Sequence, residues 1–131
     1  MFTAYDEYML SAQKSYHKLA LYQKSRLLVL EIYKITLEFP KTETFTLVPQ
    51  MRRSAISVLA NIGEGYAKES SAEFARFLTI SIGSLVEMEI YVDLSKDLGF
   101  INSSNRDRIA ILLGEVKKLL YGTRKAVRNK I

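Results

Sequence analysis

The sequence predicts an all-α fold, an antiparallel up-down-up-down four-helix bundle, in a single domain over residues 1–131. Three observations predict it. Apolar side chains recur at spacings of three and four rather than two through most of the chain. Only two prolines and six glycines interrupt its 131 residues. Stop and cap signals divide the helical pattern into four segments. With 48% hydrophobic residues the chain can also bury a core unaided by metals or disulfides.

Each element has its own signal. A first helix over 16–39 carries Tyr22, Val29 and Tyr33 on one line and Leu28, Ile32, Ile35 and Phe39 on a neighbouring one. Pro40 stops it, because proline disfavours helical geometry in the residue before it. A second helix over 48–67 has Pro49 in its first turn, where the missing N–H costs nothing, and repeats Met51, Ala55, Val58, Leu59, Ile62 and Tyr66. Gly63 and Gly65 fall near its end. A third over 71–98 opens on the capping-box pattern Ser70-Ser71-Ala72-Glu73 and stops at Asp97-Leu98-Gly99. A fourth over 104–129 follows the cap-rich Asn102-Ser103-Ser104 and repeats Ile109, Leu112, Leu113, Val116, Leu119, Leu120 and Val127. Short loops favour packing each helix beside the next with the apolar stripes inward. Residues 1–15 form an N-terminal extension to which the pattern assigns no shape. The third helix carries a second apolar line, Phe77, Ile80, Tyr91 and Leu94, which is wider than one core requires and which self-association would cover.

Composition removes several function classes. Without cysteine there is no disulfide framework, thiolate zinc site or thiol nucleophile, and a reducing, cytoplasmic setting is expected. The N-terminal stretch lacks the apolar core of a secretory signal, and no window approaches the roughly 20 apolar residues of a membrane span. The net charge of +5 is unevenly placed: residues 1–102 hold 11 basic and 12 acidic side chains, whereas 103–131 hold 8 and 2.

Four groups of residues, Glu38-Phe39-Pro40-Lys41, Gln50-Met51-Arg52-Arg53, Ala60-Asn61-Ile62-Gly63-Glu64-Gly65 and Phe74-Ala75-Arg76-Phe77-Leu78, follow one another with characteristic gaps. Gly83-Ser84-Leu85-Val86-Glu87-Met88-Glu89 and Lys96-Asp97-Leu98-Gly99-Phe100-Ile101 continue the series. Over roughly Tyr16 to Leu120 the chain resembles the bacterial four-helix-bundle proteins encoded within 23S ribosomal RNA intervening sequences. That resemblance implies a homopentamer of bundles. It also implies kinship with the accessory variability proteins of diversity-generating retroelements, which bind nucleic acid and a reverse transcriptase. The chain departs from the family pattern at Val48-Pro49, where a threonine or serine cap is usual, at Leu59, where proline is usual, and at Gly63, where alanine is common. These changes touch helix geometry, not a reactive group.

Candidate chemistry is sparse. On the second helix Arg53, Ser57, Asn61 and Glu64 form a polar line beside the apolar one. With Arg76, Glu87 and Glu89 it reads either as a polar binding site or as a structural hydrogen-bonded network between helices or subunits. Arginines among the carboxylates compete with any cation, and the Glu-x-x-His motif of di-iron bundles is absent, so the network is expected and no metal or cofactor is. His17, the one histidine, has no catalytic signature around it and reads as an incidental surface residue. Gly63-x-Gly65 lacks the preceding strand and following Gly-Lys-Ser/Thr of a phosphate loop. Tyr16, Tyr22, Tyr33, Tyr66 and Tyr91 lie on apolar faces and read as packing residues before base-stacking ones.

The basic set is more informative. Lys117, Arg124 and Arg128 share a flank of the fourth helix, with Lys118 and Lys125 adjacent. A solvated face whose late cations complement the helix dipole accounts for about 0.3–1 kcal/mol; displayed around an oligomeric ring, the same flank attracts polyanions. The leading expectation is therefore a non-enzymatic, homo-oligomeric protein that binds nucleic acid, RNA in particular. Lys117, Lys118, Arg124, Lys125 and Arg128 would meet phosphates, and Arg52 and Lys68 would extend the track. The alternative is a protein–protein adaptor, such as an accessory protein of a reverse transcriptase.

Overall fold

In the computed structural model, which describes residues 1–12 and 15–131, five α-helices form and no strand is present among the described residues. They are α1 (Ala4–Ala12), α2 (Ala20–Thr36), α3 (Leu47–Ala67), α4 (Ser71–Asp97) and α5 (Ser103–Arg128), with 3-10 turns at Tyr16–Lys18 and Lys41–Glu43. The four long helices follow the four expected segments. Most of the N-terminal extension, to which the sequence assigns no shape, is helical, and its residues 13 and 14 lie outside the described residues. The start of α1 is explained by a reciprocal cap: the Thr3 backbone N–H donates to Asp6 Oδ2 (2.7 Å) and the Asp6 N–H donates to Thr3 Oγ1 (3.2 Å). The Thr3 N–H bond, with a second donated by the Thr3 hydroxyl (2.8 Å), holds the Asp6 carboxyl below its ordinary pKa.

The first long helix is shorter at both ends than 16–39. Leu19 is extended (ψ 127°), so the 3-10 turn before it cannot run on into α2. At the other end Glu38 and Phe39 donate to the carbonyls of Ile35 and Thr36, a tightened i to i−3 pattern that delivers the chain to Pro40. α3 starts at Leu47 with Pro49 in its first turn, and no side chain caps it; the Thr46 hydroxyl donates to Glu43 instead. Gly63 and Gly65 do not end this helix. It continues to Ala67, and Glu69 (φ 57°) makes the turn. α4 begins as expected, Ser70 Oγ accepting from the Glu73 N–H (3.3 Å). It ends with Gly99 at φ 77°, the Phe100 N–H on the Ser95 carbonyl (2.8 Å) and the Gly99 N–H on the Lys96 carbonyl (3.0 Å). Asn102 caps α5 through the Asn105 N–H.

α3 packs on α2 and α4, and α5 packs on α4 and α2, so the four long helices close a cycle. Leu28 and Ile32, Met51 and Ile62, Leu78, Leu85 and Met88, and Ile109 and Leu120 fill its centre with almost no exposed surface. The α3–α4 contact is the most extensive. Ser81 Oγ donates to the Val58 carbonyl (2.7 Å), and Ser57 and Ser84 share a hydrogen bond of 2.7 Å. A Cβ placed on Gly65 would lie 2.5 Å from the Cβ of Phe77, so the two backbones approach too closely there for any side chain on Gly65. Gly83, by contrast, points a would-be Cβ into open space.

Gly65→Ala is expected to destabilise the fold by about 1–3 kcal/mol through overpacking, whereas Gly83→Ala should gain about 0.5–1 kcal/mol from helix propensity. Urea denaturation midpoints measure both. Equal gains would contradict the close approach of α3 and α4.

Candidate nucleic-acid interface

α5 turns Ile109, Leu113, Val116, Leu120 and Val127 to the core. The periodicity that buries this stripe fixes where its cations go. Lys117 and Arg124 fall on the flank facing α4: Lys117 Nζ lies 3.5 Å from Glu89 Oε1, and Arg124 Nη1 donates to Thr79 Oγ1 (3.3 Å). The Arg124 guanidinium also stands 5.1 Å from the centre of the Tyr121 ring. Lys118, Lys125 and Arg128 are exposed. On the opposite flank the charges are matched, Glu115 pairing with Lys24 (2.6 Å) and Arg108 with Glu31 (3.0 Å). Beyond Glu115 the chain holds Lys117, Lys118, Arg124, Lys125, Arg128 and Lys130 and no acidic residue. The positive surface is therefore concentrated on the last four turns of α5, with its α4-side members held by partners and its outward members free to meet solvent.

The two outlying cations are not equivalent. Lys68, at the end of α3, sits 5.6 Å from the Phe77 ring. It lies at the end of the cycle that the α5 terminus reaches, where Tyr66, Ser70, Val127 and Lys130 line one cleft of about 570 Å³. Arg52 is elsewhere, in the groove between α2 and α3. Its Nε donates to Thr36 Oγ1 (3.0 Å), its Nη2 to the Tyr33 carbonyl (3.4 Å), and its guanidinium stacks 4.4 Å from the Tyr33 ring centre. Contact between Met51 and Ser95 puts this region beside the end of α4, away from the α5 terminus. The structure does not bring Arg52 together with the α5 set.

The polar line on α3 meets α4, but as separate contacts. Asn61 Nδ2 donates to the Ser57 carbonyl and Oγ, and Ser57 bonds Ser84. Arg53 donates to Gln50 (3.2 Å). The Tyr91 hydroxyl donates to Glu87 Oε1 (2.7 Å), which, with burial, raises the Tyr91 pKa against the opposing charge of Arg53. Arg76 pairs within α4, with Glu73 (3.1 Å), and that bond and charge lower the Glu73 pKa. Glu89 turns to α5 rather than α3, and Glu64 is exposed. Among the described residues no group of three His, Asp or Glu side chains is arranged to hold a metal ion, and no helix is long and apolar enough to cross a membrane.

Two residues of the basic end, Lys130 and Tyr121, were not singled out from sequence. Lys130 joins the basic end, and Tyr121 supports Arg124. His17 is not isolated at the surface: its ring stacks on Tyr16 (4.2 Å between centres) and meets Tyr22 (5.4 Å). Burial first, then the neighbouring Tyr22 and Tyr8, raises the Tyr16 pKa. The second apolar line of α4 is real and broader than expected. Phe77 and Tyr91 lean over α3, while Ile80, Val86, Ile90, Leu94 and Leu98 remain 42–58% exposed on the outward face.

Comparison with known proteins adds two findings. A family model described as 23S rRNA-intervening sequence protein matches residues 17–122. Among solved structures, the chain is similar to a crystal structure, at 1.70 Å resolution, of a protein of unknown function from the S23 ribosomal protein family of Bacteroides thetaiotaomicron. The two share 25% identity and a TM-score of 0.73, over 80% of this chain and 95% of that one. No curated protein matches the chain.

Proposed function

The chain belongs to the 23S rRNA-intervening sequence protein family, and from that premise we propose that it is a non-enzymatic, homo-oligomeric protein that binds structured RNA through α5. The observation that carries the reading is the run of six basic and no acidic residues after Glu115, five of them on a helix whose apolar stripe faces the core and Lys130 just past its end. Lys118, Lys125 and Arg128 meet phosphates directly. Lys117 and Arg124 supply fixed positive charge from the α4 side, and Lys68 extends the surface around the end of the bundle. Arg52 contributes nothing to this track. Recognition is by shape and phosphate, because lysine and arginine on one helix flank neutralise a backbone without reading base edges. No cofactor takes part, and the setting is the cytoplasm.

The proposed architecture is an up-down-up-down bundle. The cycle of contacts supports it, as does the pairing of early α4 (Thr79) with late α5 (Arg124) and of Glu89 with the earlier Lys117. Five such bundles form a ring, in which the exposed apolar face of α4 is the surface that association covers. The same face favours a second reading, an adaptor for another protein such as a reverse transcriptase.

Charge reversal at Lys118, Lys125 and Arg128 should weaken binding to a structured RNA by about tenfold or more at low salt, and fluorescence anisotropy measures it. Unchanged affinity removes α5 from the interface. Light scattering of the purified protein should give about five times the 15.0 kDa chain mass; a clean monomer contradicts the ring and leaves the α4 face to a different protein.

A further inference from the structure

Between the end of α2 and the first turns of α3 lies a cleft of about 610 Å³. Lys41, Arg52 and Arg53 line it, and no carboxylate does. The nearby Glu43 accepts from Thr46 and lines a different groove, with Leu94 and Leu98. A surface with three cations and no matching anion in its wall is electrostatically unfinished, even though the chain around it is near neutral.

The cations have different degrees of freedom. Arg52 is fixed, with one guanidinium face on Tyr33 and two of its nitrogens bonded to Thr36 and the Tyr33 carbonyl. It needs no ordering when a ligand arrives, and a stacked guanidinium has a second face on which a planar ring can rest. Arg53 is exposed and spends one nitrogen on Gln50, leaving its other donors available. Lys41 is exposed at the start of the 3-10 turn and lines the same cleft. Leu37, Pro40 and Ile56 supply apolar wall. A planar apolar body with a doubly charged end fits this combination, and a bare inorganic anion uses only half of it.

We propose that the cleft binds a nucleoside 5′-monophosphate, its phosphate between Lys41 and Arg53 and its base against the Tyr33–Arg52 stack. The ligand is either a free nucleotide or the 5′-phosphorylated end of an RNA strand. The site is separate from the α5 surface and stands or falls independently of it, because Arg52 and the α5 terminus occupy opposite ends of the bundle.

Titration calorimetry of the full chain with AMP tests the proposal, beside two short single-stranded RNAs that differ only in carrying a 5′-phosphate or a 5′-hydroxyl. Saturable AMP binding is expected, weakened about tenfold by Lys41→Gln and by Arg53→Gln, each of which removes one charge-assisted contact. Charge reversal at Lys118, Lys125 and Arg128 should leave AMP affinity unchanged. If the phosphorylated RNA outcompetes its hydroxyl twin for AMP, the ligand is a strand end; if neither competes, it is the free nucleotide. Amide chemical-shift changes on the unaltered protein should centre on Tyr33, Thr44 and Arg53, a readout that does not depend on how the variants fold. No saturable binding of AMP or of the phosphorylated RNA overturns the proposal, as do shift changes confined to α5.

Discussion

The close approach of α3 and α4 is the constraint on which the rest of the structure depends. Gly65 admits the Phe77 side chain against its backbone, Ser81 reaches across to the Val58 carbonyl, and Ser57 and Ser84 bond beside them. Small side chains on this seam let the helices close until a backbone carbonyl becomes a partner, so the buried Ser81 hydroxyl and the half-buried hydroxyls of Ser57 and Ser84 are all satisfied. That seam turns the two α4 flanks in fixed directions. One carries Phe77 and Tyr91 over α3; the other brings Glu89 and Thr79 to α5. The remaining outward surface of α4 is left apolar, with Ile80, Val86, Ile90, Leu94 and Leu98 in solvent.

The same geometry distributes charge. Acidic side chains are held by nearby cations, across helices for Glu31 with Arg108, Glu115 with Lys24 and Glu89 with Lys117, and within α4 for Glu73 with Arg76. Two regions gather several cations with no acidic side chain among them, the late turns of α5 and the cleft at the α2–α3 junction. Exposed ion pairs of this kind contribute little to stability, on the order of 0–1 kcal/mol each. Their consequence is for the field around the molecule, because each pair offsets a cation on the body of the bundle, whereas the late turns of α5 have no acidic residue to offset theirs.

Much of this was legible in the residues. The stripe Ile109, Leu113, Val116, Leu120 and Val127 marks the buried face of α5 by spacing alone, and Ser70 with Glu73 marks the start of α4. The placement of Lys118, Lys125 and Arg128 in solvent followed from the same stripe. What could not be read depends on contacts between distant segments. Tyr16 to Lys18 continue an apolar pattern, yet Leu19 is extended and the helix begins later. The Thr3–Asp6 cap is a local signal, overlooked because no long apolar stripe follows it. Arg52 was expected to extend the basic track with Lys68; only the position of the α2 terminus shows it bonded to Thr36 and the Tyr33 carbonyl. The polar line of α3 looked continuous with Arg76 and Glu89, but helix rotation sends those two to other partners.

The proposed function rests on unmatched positive charge on α5 rather than on a catalytic pocket. The salt dependence of RNA binding by the unaltered chain tests it most directly. Each neutralised phosphate contributes roughly −0.7 to −0.9 to the slope of log K against log salt, so three or more contacts on α5 predict a slope of about −2 or steeper, similar for structured RNAs of unrelated sequence. A slope near zero, or no binding at low salt, contradicts the account.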